Sequence, residues 1–246
     1  MLVRRGMRPR LAPPDLPFPP GLGDGALERI AERLSHYAFR LFLRGAILAA
    51  GPFRPADATR YLSPEQAREM AQDLVALGLA APAGRGRFRL LQPAHSFGGT
   101  LEWWVAHELA ARLGLDAIAG VKSGARGLGG DLDVIAAAEG KLLYVELKSS
   151  PPKHLAAAEV RAFLRRARAL RADVTILAVD TALRLSDKVL PMVCAELSHA
   201  TPPRRLSREN WQIAPHVYAV NARQDLIENL VVVIADGLLS LGPSLP

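Results

Sequence analysis

Hydrophobic residues recur every three or four positions in residues 24–50, and this spacing predicts helix. A short helix is expected over residues 54–62. A third helix, residues 63–78, opens with the letters SPEQ, in which Ser63 is the N-cap of a capping box and proline takes the first helical position. A glycine ends this helix. Residues 79–93 look like two short strands joined by a Gly-Arg turn.

Three helices followed by a small hairpin resemble a winged helix-turn-helix domain, which often reads nucleic acid. The polar positions of the third helix sum to a charge of −2, which disfavours its entry into a groove lined by phosphates. Arg85, Arg87 and Arg89 occupy alternate positions in the hairpin, so we expect them on one face. DNA contact through this wing and protein docking both remain open.

The second half of the chain alternates helical and strand patterns. A helix over residues 100–115 is followed by a glycine-rich loop over residues 119–130. The apolar runs that come next predict two strands, a helix, a strand, a helix, a strand and a final helix, in the segments DLDVIA, KLLYVELK, HLAAAEVRAFLRRARALRA, VTILAVD, SDKVLPMVCAEL, HVYAV and the residues after Asp225.

Composition places the chain among globular proteins, with 50% hydrophobic and 22% charged residues. The net charge of +7 is uneven, because residues 1–95 hold 14 arginines against eight acids. Such a charge favours an anionic partner. A single cysteine, Cys194, excludes an internal disulfide, and the most apolar run is too short for a membrane span. We therefore expect a cytoplasmic protein without a membrane partner.

Four ionisable residues interrupt the two apolar strands of residues 131–148. Side chains alternate faces along a strand, so Glu146 and Lys148 share one face, as do Asp131 and Asp133. In an antiparallel hairpin Asp133 can face Glu146. Two carboxylates about 4 Å apart repel by roughly 4 kcal/mol at an effective dielectric near 20, and a cation relieves that repulsion. Oxygen ligands favour Mg²⁺ or Mn²⁺ over zinc.

The spacing of these residues resembles that of the PD-(D/E)xK nuclease superfamily, and is most similar to archaeal Holliday-junction resolvases and type IV restriction endonucleases. Glu146 and Lys148 form a Glu-x-Lys motif thirteen positions after Asp133, and a preceding helix carries Gly-x-Leu-Glu. The resemblance covers about residues 99–180. Leu132 stands where the family's motif has a proline, a position that varies widely in the superfamily.

The resemblance implies a role for each matching residue. Asp133, Glu146 and the backbone carbonyl of Leu147 would ligate the metal ion. Lys148 would orient the attacking water and stabilise charge on the scissile phosphate. Glu102 would hold metal-bound water.

The expected fold is therefore α/β: a three-layer α/β/α restriction-endonuclease-like sandwich over residues 97–246, with an N-terminal winged helix-turn-helix domain over residues 24–93. Residues 1–23, rich in proline and arginine, are expected to form a flexible arm. The expected function is Mg²⁺- or Mn²⁺-dependent hydrolysis of DNA, with RNA left open and a homodimer or a larger defence or repair complex as possible assemblies. The alternative is a non-catalytic nucleic-acid-binding or docking protein that keeps the nuclease fold.

Two further basic features are candidates for phosphate contact. Lys153 follows the Glu-x-Lys strand and either reaches a nucleic-acid backbone or caps the next helix. The next helix carries a run of arginines that is either a solvated face or a phosphate track: Arg161, Arg165, Arg166, Arg168 and Arg171.

Overall fold

The structure is a computed structural model that describes residues 1–123, 129–197 and 201–242. It divides into two compact units. The N-terminal unit is residues 14–104, and the sheet unit combines residues 1–13 with residues 105–246.

In chain order, the described helices are α1 (Asp24–Ser35), α2 (Tyr37–Leu48), α3 (Pro55–Ala58), α4 (Pro64–Ala76), α5 (Gly98–Leu113), α6 (Ala157–Leu170), α7 (Val189–Leu197) and α8 (Leu226–Leu241). The described strands are β1 (Pro9–Leu11), β2 (Ala80–Pro82), β3 (Phe88–Leu90), β4 (Asp116–Ser123), β5 (Asp131–Ala138), β6 (Lys141–Lys148), β7 (Val174–Val179), β8 (Arg204–Ser207), β9 (Asn210–Ala214) and β10 (Val217–Asn221). Short 3₁₀ helices cover Leu2–Arg5 and Pro152–His154.

The N-terminal unit follows the predicted helical pattern with one break. The apolar periodicity of residues 24–50 is divided between α1 and α2, because His36 has extended backbone angles (φ −80°, ψ 115°). The capping box of α4 is confirmed. The Ser63 hydroxyl accepts from the Gln66 N–H at 3.2 Å, and the Gln66 side chain accepts from the Ser63 N–H at 2.9 Å.

A buried arginine holds the break between α1 and α2. Arg40 is 1% exposed, and its Nη1 donates to the carbonyls of Leu34 at 2.6 Å and Ser35 at 3.1 Å. These carbonyls end α1 and have no partner within their own helix. The guanidinium also lies 4.7 Å from the ring centroid of Trp104. A charge that would otherwise be costly to bury thus stabilises a helix end.

Asp15 holds the segment that precedes α5. Its carboxylate accepts from the backbone N–H of His95 at 2.9 Å and from that of Ser96 at 3.0 Å. Burial alone would raise the pKa of Asp15, but these hydrogen bonds outweigh burial and lower it. One side chain therefore fixes the backbone at His95 and Ser96.

The sheet unit is built on a mixed sheet of eight described strands in the order β1-β4-β5-β6-β7-β10-β9-β8. Strands β6, β7 and β10 run parallel to one another, and the other neighbours are antiparallel. One face of the sheet packs against α6 and α7, which bury Phe163 and Val193. On the other face, Gly237 of α8 lies so close to Val174 that an added Cβ would come within 2.9 Å of it. Helices thus cover both faces.

The last helix begins where the sequence predicts. Asp225 is the N-cap of α8, and its carboxylate accepts from the N–H groups of Ile227 at 2.7 Å and Glu228 at 3.1 Å. The apolar run of residues 230–234 lies within this helix. None of the helices in the described ranges is long and apolar enough to cross a membrane.

The first thirteen residues differ from the expected flexible arm. Leu2 and Met7 are buried in the core of the sheet unit, and β1 pairs antiparallel with β4. Arg5 donates to the carboxylate of Asp173 at 2.9 Å and to the carbonyl of Leu170 at 3.0 Å. Burial of its few apolar residues and pairing with β4 therefore order this segment despite its prolines and arginines.

Three strands, β4, β8 and β9, differ from the prediction. Residues 119–123 of the expected glycine-rich loop belong to β4, and residues 124–128 of that loop lie outside the described residues. Strands β8 and β9 were not predicted, because RRLS and NWQIA lack the apolar run of a buried strand.

Replacing Asp15 with Asn should lower the free energy of unfolding by about 1 kcal/mol at pH 7, the net value of charge-assisted hydrogen bonds at a partly exposed site. Because the pKa of Asp15 is lowered in the folded state, its contribution is present above the unfolded carboxyl pKa of about 4 and is lost as the pH falls through the folded value. Urea unfolding of both proteins between about pH 2.5 and pH 7 tests this. A difference that does not change with pH would contradict the assignment, and His95→Ala controls for the exposed ring.

Candidate active site

The site lies where two neighbouring strands stop pairing. The ladder between β5 and β6 ends at Val134 and Val145, while β5 continues beside β4 as far as Asp131. One residue beyond the last pair, the carboxylate of Asp133 accepts from the N–H of Leu147 at 2.7 Å. A side chain therefore replaces the missing strand partner, and this keeps Asp133 next to β6. The predicted antiparallel hairpin is confirmed.

Glu146 lies opposite this opening and is almost fully buried, with 1% of its surface exposed. Its Oε1 accepts from Arg166 Nη2 at 2.6 Å and lies 3.0 Å from Lys148 Nζ. Its Oε2 accepts from the same Arg166 nitrogen at 2.5 Å and from the hydroxyl of Tyr144. Burial of a carboxylate is costly without such partners. Two cations and a hydroxyl therefore compensate this charge.

Lys148 joins two carboxylates from different elements. Its Nζ lies 3.0 Å from Glu146 and 3.1 Å from Glu159 of α6, and 19% of its side chain is exposed. Burial alone would lower the pKa of Lys148, but the charge of Glu146 and the hydrogen bonds to both glutamates raise it. Glu159 also accepts from the N–H of Ala156 at 2.9 Å. The ammonium is thus protonated and partly accessible to solvent.

Arg166 and Tyr144 contact Glu146, and the sequence did not indicate either contact. Tyr144 shares the strand face of Glu146, and Arg166 Nε donates to the Tyr144 hydroxyl at 2.8 Å. Burial, followed by the charge of Glu146, raises the pKa of Tyr144, so the hydroxyl stays protonated and donates to Glu146. The sequence held one signal: Arg166 lies three residues after Phe163 and four before Leu170, within the apolar stripe of α6.

The arginine run of α6 is therefore not a single solvated face. Arg166 is 8% exposed and turned towards the sheet, whereas Arg161 is exposed and pairs with Glu196 of α7 at 2.8 Å. The other members of the run, Arg165, Arg168 and Arg171, are exposed.

Glu102 belongs to the N-terminal unit and is half-buried on the first half of α5. Its role as holder of metal-bound water stays a prediction. The neighbouring Trp104 is fully buried beneath Arg40, and Trp103 makes an edge-to-face contact with Phe18 at 4.9 Å. Both tryptophans thus serve packing.

The hairpin arginines do not share one face. Arg85 lies in the turn with a left-handed backbone (φ 51°), before β3 begins. It lines a cleft with Arg54 and Arg68, whereas Arg89 lines a different cleft beside α2. Whether Arg85, Arg87 and Arg89 contact DNA stays a prediction.

The role of Lys153 also stays a prediction. This lysine is exposed in the 3₁₀ helix Pro152–His154, where its carbonyl accepts from Lys188 Nζ at 2.8 Å.

The arrangement of donors leaves no open side on Glu146 for a divalent cation. A carboxylate has about four lone-pair positions, and each oxygen of Glu146 already meets two donor groups. Across residues 1–123, 129–197 and 201–242, no group of three or more His, Cys, Asp or Glu side chains is placed to hold a metal ion. As arranged, Mg²⁺ does not fit at Glu146 unless Lys148 or Arg166 leaves it.

Solved structures share this fold. Protein VC1899 from Vibrio cholerae matches with a TM-score of 0.53 and 15% identity, over 97% of this chain and 60% of that chain. Can2 from Sulfobacillus thermosulfidooxidans, solved in complex with cyclic tetra-adenylate, matches with a TM-score of 0.54 and 14% identity, over 95% of this chain and 59% of that chain.

This chain spans about three fifths of the length of each of these proteins, and at such identities the likeness concerns the fold alone. Neither a protein-family model nor a curated protein matches the sequence. The comparisons therefore show a mixed α/β fold that occurs in larger proteins.

Replacing Arg166 with Met should lower the free energy of unfolding by about 3 kcal/mol, because Glu146 would remain buried without its main cation. The double variant Arg166→Met/Glu146→Gln should recover part of this loss, since no charge is then left unpaired. Urea unfolding of the wild type, Arg166→Met, Glu146→Gln and the double variant completes a double-mutant cycle. Arg165→Met, one position away and exposed, is the control and should change stability by less than about 0.5 kcal/mol. Additive losses would show that the two side chains do not depend on each other.

Proposed function

We propose that this protein is a metal-dependent nuclease that hydrolyses phosphodiester bonds in DNA. One observation carries the proposal: Asp133, Glu146 and Lys148 come together where β5 and β6 separate, on a sheet with helices on both faces. These are the positions that match the PD-(D/E)xK motif. The α/β fold that this chain shares with VC1899 and Can2 supports the nuclease proposal, and the reaction itself is left to the experiments below.

Lys148 has the clearest chemical role in this proposal. Its ammonium is held between Glu146 and Glu159 and is partly exposed, so a phosphate oxygen could take the place of one carboxylate. A fixed positive charge beside a phosphate stabilises the charge that grows on it during hydrolysis. Asp133, held by the Leu147 N–H, supplies a second carboxylate at the same strand opening.

Mg²⁺ or Mn²⁺ remains part of the proposal as the cofactor. Either ion would need oxygens of Asp133 and Glu146, the residues that the motif assigns to it. Because Lys148 and Arg166 already contact the carboxylate oxygens of Glu146, the ion and these side chains compete for the same oxygens. The proposal therefore requires a rearrangement at Glu146 before the ion binds.

The same competition favours a second candidate function. If Arg166 holds Glu146 permanently, the carboxylate is a structural partner of α6 and the protein binds nucleic acid, or docks to a partner, without cutting. Both candidate functions include three further proposals: a winged-helix domain over residues 24–93, a homodimer, and a defence or repair complex. The order of helices and hairpin in the N-terminal unit supports the first of these.

Cleavage of labelled DNA tests the catalytic assignment. Lys148→Met should slow hydrolysis at least 100-fold, which is typical when one stabilising charge is removed. Asp133→Asn should abolish it, because the second carboxylate is lost. The matched control is Lys122→Met, since Lys122 is an exposed lysine of β4 whose ion partner is Asp131, and it should cut like the wild type.

The assay uses single-stranded and duplex DNA and RNA with Mg²⁺, Mn²⁺ or EDTA, and circular dichroism confirms that each variant is folded. Wild-type rates in Lys148→Met and Asp133→Asn would reject the nuclease assignment to these residues. Cleavage in EDTA would reject the metal.

Calorimetric titration with Mn²⁺ separates the two candidate functions. The nuclease proposal expects the wild type to bind the ion, and Lys148→Met to bind it equally or more tightly, because a competing cation is gone. Asp133→Asn should weaken binding at least about tenfold, the loss expected when part of a metal site is removed. Absence of binding in all three proteins would favour the non-catalytic candidate.

A further inference from the structure

We infer that Arg54, Arg68 and Arg85 form a binding site for the phosphodiester backbone of a nucleic acid. The three side chains line one cleft of about 420 Å³ in the N-terminal unit. All three residues are exposed. This site lies in a different unit from Glu146, and it requires no hydrolysis.

Three separate elements bring these arginines together. Arg54 is the N-cap residue of α3 and is followed by Pro55, which fixes the first turn of that helix. Arg68 projects from α4. Arg85 lies at the tip of the hairpin between Gly84 and Gly86, and all three of these turn residues have positive φ angles. The cleft therefore depends on the fold, and no sequence spacing predicts it.

None of the three arginines has a carboxylate within ion-pair distance in the part of the chain that the structure describes. The contrast within the same unit is Arg33 of α1, which pairs with Asp73 of α4. Arg68 contributes only a minor share to the lowered pKa of Glu65, after that residue's own backbone N–H and the Ser63 hydroxyl. The positive charge of the cleft is therefore available to an anion.

The net charge of α4 does not argue against this site, because the charges are on different sides of the helix. The lining residues Pro64, Arg68 and Gln72 are spaced by four and form one stripe. Glu65, Glu69 and Asp73 form the next stripe, about 100° further round the helix, and Asp73 is neutralised by Arg33. The stripe that lines the cleft carries an arginine and no acid.

The chemistry of the cleft fits a phosphodiester better than a carboxylate-bearing partner. Arginine offers five donors in a planar fork that pairs two by two with phosphate oxygens. Gln72 adds a neutral donor and acceptor at the same surface. Residues 1–95 hold 14 arginines against eight acids, which draws a polyanion rather than a single small anion.

The test measures binding of the full chain to short fluorescent duplex DNA, single-stranded DNA and duplex RNA by anisotropy, in EDTA and across a salt series. The double variant Arg54→Gln/Arg68→Gln should weaken binding about eightfold per lost contact at 0.1 M salt and make the slope of log affinity against log salt shallower by about 1.8 for duplex DNA. The matched control is Arg29→Gln/Arg60→Gln, which removes two exposed arginines of the same unit and should bind like the wild type. Comparing the three nucleic acids shows whether the ligand is DNA or RNA.

Three results would overturn the site: a cleft variant with wild-type affinity and slope, an equal loss in the control variant, or no nucleic-acid binding by the wild type. Arg87→Gln/Arg89→Gln is measured beside them, and loss confined to that variant would move the contact to the hairpin strand. Because the assay contains no free metal, its failure leaves the cleavage results on Lys148 and Asp133 to decide the nuclease proposal separately.

Discussion

The charge of Glu146 is the constraint around which the sheet unit is organised. A carboxylate that is 1% exposed requires donors of fixed geometry, and the fold takes them from two elements. Tyr144 and Lys148 come from the same strand face, and Arg166 comes from α6. A second link, between Lys148 and Glu159, joins β6 to the first turn of α6. The position of α6 along β6 is therefore set by polar contacts as well as by apolar packing.

The same arrangement sets the stability of the buried carboxylate against the metal binding that the nuclease proposal requires. The donors that make burial of Glu146 tolerable also fill the lone pairs that a metal ion would use. Asp133 differs in its burial, because it is half-buried, and its carboxylate accepts from the backbone N–H of Leu147. The two carboxylates of the motif, Asp133 and Glu146, thus differ in burial.

Local patterns predicted much of the fold, and long-range contacts account for most of what was missed. The β5–β6 hairpin, the capping box at Ser63 and the start of α8 at Asp225 follow from alternation, capping residues and turn signals. The strand alternation also brought Glu146 and Lys148 to one face. The pairing of Glu146 with Arg166 could not be predicted, because Arg166 reaches Glu146 only through the packing of α6. The hairpin arginines separate because the left-handed backbone at Arg85 breaks the alternation on which their grouping relied.

Strand β1 gives the sheet an edge that resists pairing with other chains. It is three residues long, Pro9 lacks an N–H and Arg10 adds a charge. The neighbouring strand in the sheet, β4, is eight residues long and has the largely apolar sequence DAIAGVKS. A fragment that starts at Val105 would expose the backbone of β4 as a free edge, open to strand exchange with a second copy or to aggregation. The first thirteen residues thus protect the β4 edge of the sheet from pairing with other chains. They do so although residues 14–104 separate them from the rest of their unit in the sequence.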